Sequence, residues 1–167
     1  MIVDALRTRI RTHQREEDVL AEIYRHAYDC QQHLVRECFW DAPDDQPLLS
    51  LEIYRENWRG KFQTTGPFGI PDVITINFNG RGMNKGEDLL RTLAHELGHW
   101  ALRKSPGARG HGEDWRTLMA LRCGMSFNDR GQWLRDMGLW WEIASELELH
   151  TQGIDEWIAS LGTHSND

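Results

Sequence analysis

With 167 residues, 40% of them hydrophobic and 27% charged, the chain is long enough to bury a core and is not composed like a disordered segment. Its net charge of −7 argues against a broad electrostatic hold on nucleic acid, because affinity for phosphates grows with clustered Lys and Arg. No apolar run approaches the ~18 residues of a membrane span; Met1-Ile2-Val3-Asp4-Ala5-Leu6-Arg7 lacks a signal stretch and the 3 cysteines make no disulfide framework, which together imply a cytoplasmic protein.

From Asp18 to Trp40, Val19, Leu20, Ile23, Ala27, Cys30, Leu34 and Cys38 recur at helical spacing and predict a long amphipathic helix. A shorter helical piece is expected before it, making residues 1–40 a helical N-terminal region. Arg7, Arg9, Arg11 and Arg15 form a basic cluster that the acidic average conceals; beside Glu16, Glu17 and Asp18 it reads as a solvated helix face. Cys30 and Cys38 share one face and read as buried thiols. Asp41-Ala42-Pro43-Asp44-Asp45-Gln46-Pro47 then breaks the pattern as a linker. Three strands are predicted next: Leu49 to Tyr54 with alternating Leu49, Leu51 and Ile53, a weaker one from Gly60 to Thr64, and Val73 to Phe78. Gly66-Pro67-Phe68-Gly69-Ile70-Pro71 joins the last two.

The chemistry lies in His95-Glu96-Leu97-Gly98-His99. On a helix, residues four apart lie one turn from each other on the same face, so both imidazoles can reach one metal ion. Glu96 points about 100° away and can contact a water there without ligating the metal. Chance alone yields this pattern in about 3% of chains of this composition, so a third ligand must decide the matter. Leu89, Leu90, Leu93, Leu97, Trp100 and Ala101 lie on the opposite arc, leaving one face for the core and the other for a site. Pro106 and Gly107 are expected to end the helix, and Ser105-Pro106-Gly107-Ala108-Arg109-Gly110 to turn the chain. His111 can then return to the metal at the entrance of a second helix, Glu113 to Arg122, closed by Gly124. Glu113 and Asp114 are rival third ligands, since carboxylate oxygen also suits zinc.

After Asn128 the chain reads as helical, with Trp133, Leu134, Met137, Trp140, Trp141 and Ile143, then a short final helix around Asp155 to Leu161, giving a helical C-terminal region 129–162. Tryptophans at such spacing are expected in the core. His13, His26, His33, His150 and His164 have no partner spacing that suggests a second metal site. The whole reads as one α+β, zincin-like domain over residues 1–167, with a small sheet of about three strands packed with the active-site helix and flanking helices.

The segment HELGHWALRKSPGARGHGEDWRTLM resembles the active-site region of the SprT-like zinc metalloproteases, whose pattern is HExxH, a short loop, then HGxxW or HGxxF leading into a helix. The resemblance runs from about Leu48 to Asn128. It implies that His95, His99 and His111 are zinc ligands, that Glu96 is the catalytic base and that Trp115 packs the second helix. There are departures. Many SprT-like proteins carry a zinc ribbon with paired Cys-x-x-Cys motifs, and Cys30, Cys38 and Cys123 form none. The metzincin pattern fails at Leu102, where it requires Gly. The ImmA/IrrE-type regulatory peptidases share a HELGHW helix without the HGxxW segment, and stand second.

The reading that results is a metalloprotease in which a metal-activated water attacks the peptide bond with Glu96 as general base. Arg103, Arg109 and Tyr54 are candidates to stabilise the oxyanion. The alternatives are a regulatory peptidase that cuts one repressor, and a non-catalytic module held by structural zinc. The implied partner is a protein or peptide, with no membrane. Spartan-type members of the resembling family degrade proteins crosslinked to DNA, but their DNA-binding segments have no counterpart in this sequence.

Overall fold

One uninterrupted helix, α1 (Ile2–Cys38), occupies the amino-terminal region, where a short helix followed by a longer one was expected. No Gly or Pro stands between Ile2 and Cys38 to break it, and its first half carries good helix formers. Only the second half is anchored: Val19, Ile23, Ala27, Cys30, Gln31, Leu34 and Cys38 are buried. Residues 1–18 are all exposed, the four arginines of the basic cluster included. The computed structural model describes residues 1–42, 45–64, 71–78, 82–105 and 110–162, with backbone alone for 161 and 162. Pro43 and Asp44 of the linker, most of the Gly66 to Pro71 joint and the turn residues Pro106 to Arg109 therefore lie outside the described residues.

The three strands fall within two residues of their expected bounds: β1 (Leu48–Glu52), β2 (Gly60–Gln63) and β3 (Val73–Asn77). They form a sheet of order β1-β3-β2, with β1 parallel and β2 antiparallel to the central strand. β3 takes the middle because its Val-Ile-Thr-Ile run suits burial on both faces, and Ile74 and Ile76 are fully buried. Asn77 ends it with a buried amide: Nδ2 donates to the carbonyls of Glu56 and Trp58 at 2.9 Å each, and Oδ1 accepts the Tyr54 N–H at 2.9 Å. That amide closes the β1–β2 connection over the sheet.

Helix α2 (Gly86–Ala101) packs against β2 and β3 of the sheet and against α1 and α5, and its Leu89, Leu90, Leu93, Leu97 and Trp100 are all buried as its periodicity predicts; Ala101 is half-buried. Burying each such leucine is worth roughly 1.5–3 kcal/mol, which fixes the helix's rotation and turns its opposite face outward. Helix α3 (Glu113–Cys123) follows and stops at Gly124, whose φ of 68° is left-handed and suits a residue without a Cβ.

The next segment departs from expectation. Instead of a helix at once, β4 (Met125–Phe127) and β5 (Trp133–Asp136) form an antiparallel hairpin, followed by α4 (Gly138–Glu146). Trp133 and Leu134 fit a helical wheel with Met137 and Trp140, but the turn chemistry of Asn128-Asp129-Arg130-Gly131 wins: the Asn128 side-chain oxygen accepts the N–H groups of Arg130 and Gln132 at 3.0 and 2.9 Å. The tryptophans consequently divide. Trp100, Trp115 and Trp140 are core, whereas Trp40, Trp133 and Trp141 are exposed.

The final helix, α5 (Glu148–Gly162), begins well before Asp155 and packs along α1. Its Asp155 carboxylate accepts the N–H of Gly86, the first residue of α2, at 2.5 Å. The fold is thus α+β, five helices around a three-stranded sheet and a hairpin among the described residues. No described helix is long and apolar enough to cross a membrane.

Candidate metal centre

The outward face of α2 carries His95 and His99 one turn apart, and His111 reaches them from just ahead of α3. The Nε2 of His95 lies 3.1 Å from Nε2 of His111 and 3.2 Å from Nε2 of His99. Tetrahedral zinc with bonds near 2.0–2.1 Å separates its nitrogen ligands by about 3.3–3.4 Å, so the cluster needs only tenths of an ångström to accept the ion. The donor chemistry agrees. Three Nε2 atoms aimed at one point cannot all donate to one another, and a neutral imidazole offers a lone pair there.

Protonation does not resolve that convergence. Burial, and then the neighbouring imidazoles, push His95 down to about 3 and His99 down to about 4; burial also lowers His111. The three imidazoles thus stay neutral, the state in which they could take a metal ion. Glu113 and Asp114, the rival third ligands, are exposed and belong to no metal-sized cluster among the described residues.

Packing sets the cluster's geometry. The Trp115 ring lies 4.6 Å from that of His95, 5.0 Å from His99 in a stacked arrangement and 4.8 Å from His111. Trp115 can approach because Gly98 stands in the motif: a β-carbon there would come within 2.5 Å of Met119 Sδ and 2.9 Å of Trp115 Nε1. Gly98 is the point where α3 crosses α2. Phe127 of β4 closes the other side, its ring 5.4 Å from His95 and 4.9 Å from Trp115.

Glu96 points from α2 toward β2 and is only 7% exposed. Burial raises its carboxyl from 4.5 to about 7, and the hydrogen bond from the Phe62 backbone N–H opposes that rise. Gly60 permits this approach of strand to helix, since a β-carbon there would lie 2.6 Å from Thr92 Cγ2 and 3.3 Å from Glu96 Oε1.

An open cleft of about 630 Å³ spans these groups, lined by Lys61 to Thr64 of the β2 strand and its end, with Glu96, His99, Arg103, Gly110 and His111. Of the oxyanion candidates, Arg103 lines this cleft and pairs with Asp72 at 2.7 Å. Tyr54 is exposed and packs on Trp58, away from the cleft lining; Arg109 lies outside the described residues. Sequence reasoning did not single out Phe62, Phe127 or Gly131. Only Gly131 carried a signal, as the glycine of a recognisable turn.

Fold and site together define a small α+β protein with a three-histidine centre able to hold a metal ion, set beside a buried carboxylate. The SprT-like family model matches residues 27–129, more than half of the sequence, and the chain belongs to the SprT-like family. No curated protein matches the chain, and no solved structure does.

Proposed function

We propose that the protein is a zinc-dependent peptidase, with His95, His99 and His111 holding the ion and Glu96 serving as general base on an extended protein or peptide substrate. One juxtaposition supports this reading most: three imidazole nitrogens converge within 4.8 Å of one another, and the helix that carries two of them also sends a buried carboxylate into the same open cleft. When bound, zinc supplies a Lewis acid and lowers the pKa of water from 15.7 towards about 7.

The chain's own groups do the rest. Glu96, raised to about 7, can take a proton from the attacking water at its carboxylate and return it to the leaving amine nitrogen near neutral pH. β2 is an edge strand, pairing with β3 alone among the described strands, and it runs along the cleft. Such an edge presents main-chain groups to an extended peptide, which favours an unfolded segment over a folded surface.

A non-catalytic zinc module fits less well. Structural sites are usually closed by four ligands with thiolates dominant, whereas this cluster has imidazoles beside an open cleft, and all three cysteines are buried and free. The test is zinc content together with cleavage of a denatured protein, with and without single-stranded DNA. Glu96→Gln should keep one equivalent of zinc and lose at least about 100-fold in turnover. Undiminished cleavage by that variant removes Glu96 from the role, and wild-type protein that binds zinc yet cleaves nothing supports the module.

A further inference from the structure

Helix α1 carries a second apolar stripe that the core does not use. Ile2, Val3, Leu6 and Ile10 on its first half and Tyr24 and Tyr28 further along are exposed, with Leu20 half-buried between them. At about 100° per residue these side chains fall within an arc of about 100°, roughly a quarter-turn round the helix from the buried face of Val19, Ile23, Ala27, Cys30 and Leu34. We infer that this stripe is a homodimer interface, on which a second copy of the chain lays its own α1 antiparallel as a two-stranded coiled coil.

The spacing is that of such a seam. Val3, Leu6, Ile10, His13, Glu17, Leu20 and Tyr24 step by three and four in turn, the a/d pattern of a coiled coil. Beyond Tyr28 the linker covers the helix, where Gln31 Nε2 donates to the Pro47 carbonyl at 2.8 Å. The stripe therefore runs from Ile2 to Tyr28, with its midpoint at Arg15. Antiparallel pairing about that midpoint sets Leu6 against the second copy's Tyr24, Ile10 against its Leu20 and His13 against its Glu17. Each contact then occurs twice, as a two-fold interface requires.

Charge selects both the occupant and the direction. Residues 2–15 carry Arg7, Arg9, Arg11 and Arg15 against Asp4, a net charge of +3; residues 16–29 carry Glu16, Glu17, Asp18, Glu22 and Asp29 against Arg25, a net charge of −4. An antiparallel pair lays the basic half of each helix along the acidic half of the other, whereas a parallel pair sets like on like.

The centre of the stripe is polar: His13 Nε2 lies 3.1 Å from Glu17 Oε1 on the same helix. A lipid surface would have to take Glu17 into its apolar layer. A paired helix sets that carboxylate beside a second histidine, and a polar layer within a seam fixes its register.

The arm itself argues for a partner, because residues 1–18 are wholly exposed and an isolated helix of that length is marginal in water. It also precedes the family-matched residues 27–129.

The experiment measures the mass of the full-length protein by sedimentation equilibrium from about 1 to 100 μM. A dimer of twice 19.5 kDa should form across that range. Leu6→Glu combined with Ile10→Glu, both exposed in the single chain, should weaken it about 100-fold or more and leave the body folded. Cysteine variants report the direction, since the native thiols are buried. Ile10→Cys mixed with Leu20→Cys should oxidise to a covalent dimer, and Ile10→Cys alone should not. A monomer at every concentration, a dimer indifferent to Leu6→Glu with Ile10→Glu, or Ile10→Cys crosslinking to itself overturns the inference. So does a monomeric wild type that anionic phospholipid vesicles capture through Leu6 and Ile10, which would make the stripe a membrane face.

Discussion

Gly131 rests directly on the ring of His111: a β-carbon added to it would overlap Cε1, Nε2 and Nδ1 of that imidazole. It also has a φ of 75°, so the turn between β4 and β5 needs glycine for two separate reasons. The hairpin thereby acts as a backstop for the one histidine of the cluster that lies outside α2.

Gly131→Ala should therefore weaken zinc binding by about 10-fold or more, the range for losing a group that orients a metal ligand. The helices should remain, because the turn is on the surface. Chelator competition measures the first and circular dichroism the second; wild-type zinc affinity in this variant would show that His111 holds its position without the turn.

Much of the centre was legible because its signals are local. The apolar arc of α2 and the spacing of His95 and His99 follow from a single period, and the shift from that period to alternation marks β1 and β3. The contact of Gly131 with His111 was not legible, since it joins a turn to a helix entrance through tertiary packing. The same holds for the hydrogen bond between His26 and His150, whose separation in sequence carries no spacing signal. β5 was read as helix because Trp133 and Leu134 satisfy both periods over so short a run. The first half of α1 gave no signal of continuity because the core does not cover it and its apolar residues follow a different face from Val19, Ile23 and Ala27.

Glu96 makes the metal-free protein sensitive to rising pH. Its folded-state carboxyl sits at about 7 against 4.5 for the free group, chiefly through burial. The folded state thus prefers the neutral acid: that stability is complete below 4.5 and is lost as pH rises through about 7, on the order of 3 kcal/mol. Glu96→Gln does not titrate. In metal-free protein its stability relative to wild type should rise between pH 4.5 and pH 8, as read by denaturant unfolding, and a pH-independent difference would contradict the burial of an ionisable carboxyl.

The histidines carry the opposite sign. His95 at about 3 and His99 at about 4 are held below the ordinary 6.5, first by burial. Their contribution to metal-free stability is complete above 6.5 and disappears as pH falls through 4 and then 3. For zinc the consequence is tolerance of mild acid. Between pH 7 and pH 5.5 affinity should fall by about 10-fold at most, mainly through His111, whereas three ordinary imidazoles of pKa 6.5 would together lose about 600-fold. Competition with a chelator of known pH dependence distinguishes the two.

Asp136 of β5 ties the hairpin to the metal helix. Its carboxylate pairs with the Arg91 guanidinium of α2 and accepts the Trp133 indole N–H at 2.9 Å, while Glu87 holds the other side of Arg91 at 2.8 Å. Arg91 also lies 4.8 Å from the Trp133 ring. Only 4% of the Asp136 side chain is exposed and 20% of that of Arg91, so removing the carboxylate leaves a largely desolvated cation with Glu87 as its remaining acidic partner. Asp136→Ala should cost about 2–3 kcal/mol, less than a fully buried pair because Glu87 stays. Since the same hairpin seats Gly131 against His111, this substitution should also weaken zinc binding, although Asp136 is no ligand. Arg91→Met, which removes the charge while filling its volume, should recover part of the stability lost in Asp136→Ala when the two are combined. A double variant no more stable than Asp136→Ala alone would show that the loss comes from the hairpin and not from the stranded guanidinium.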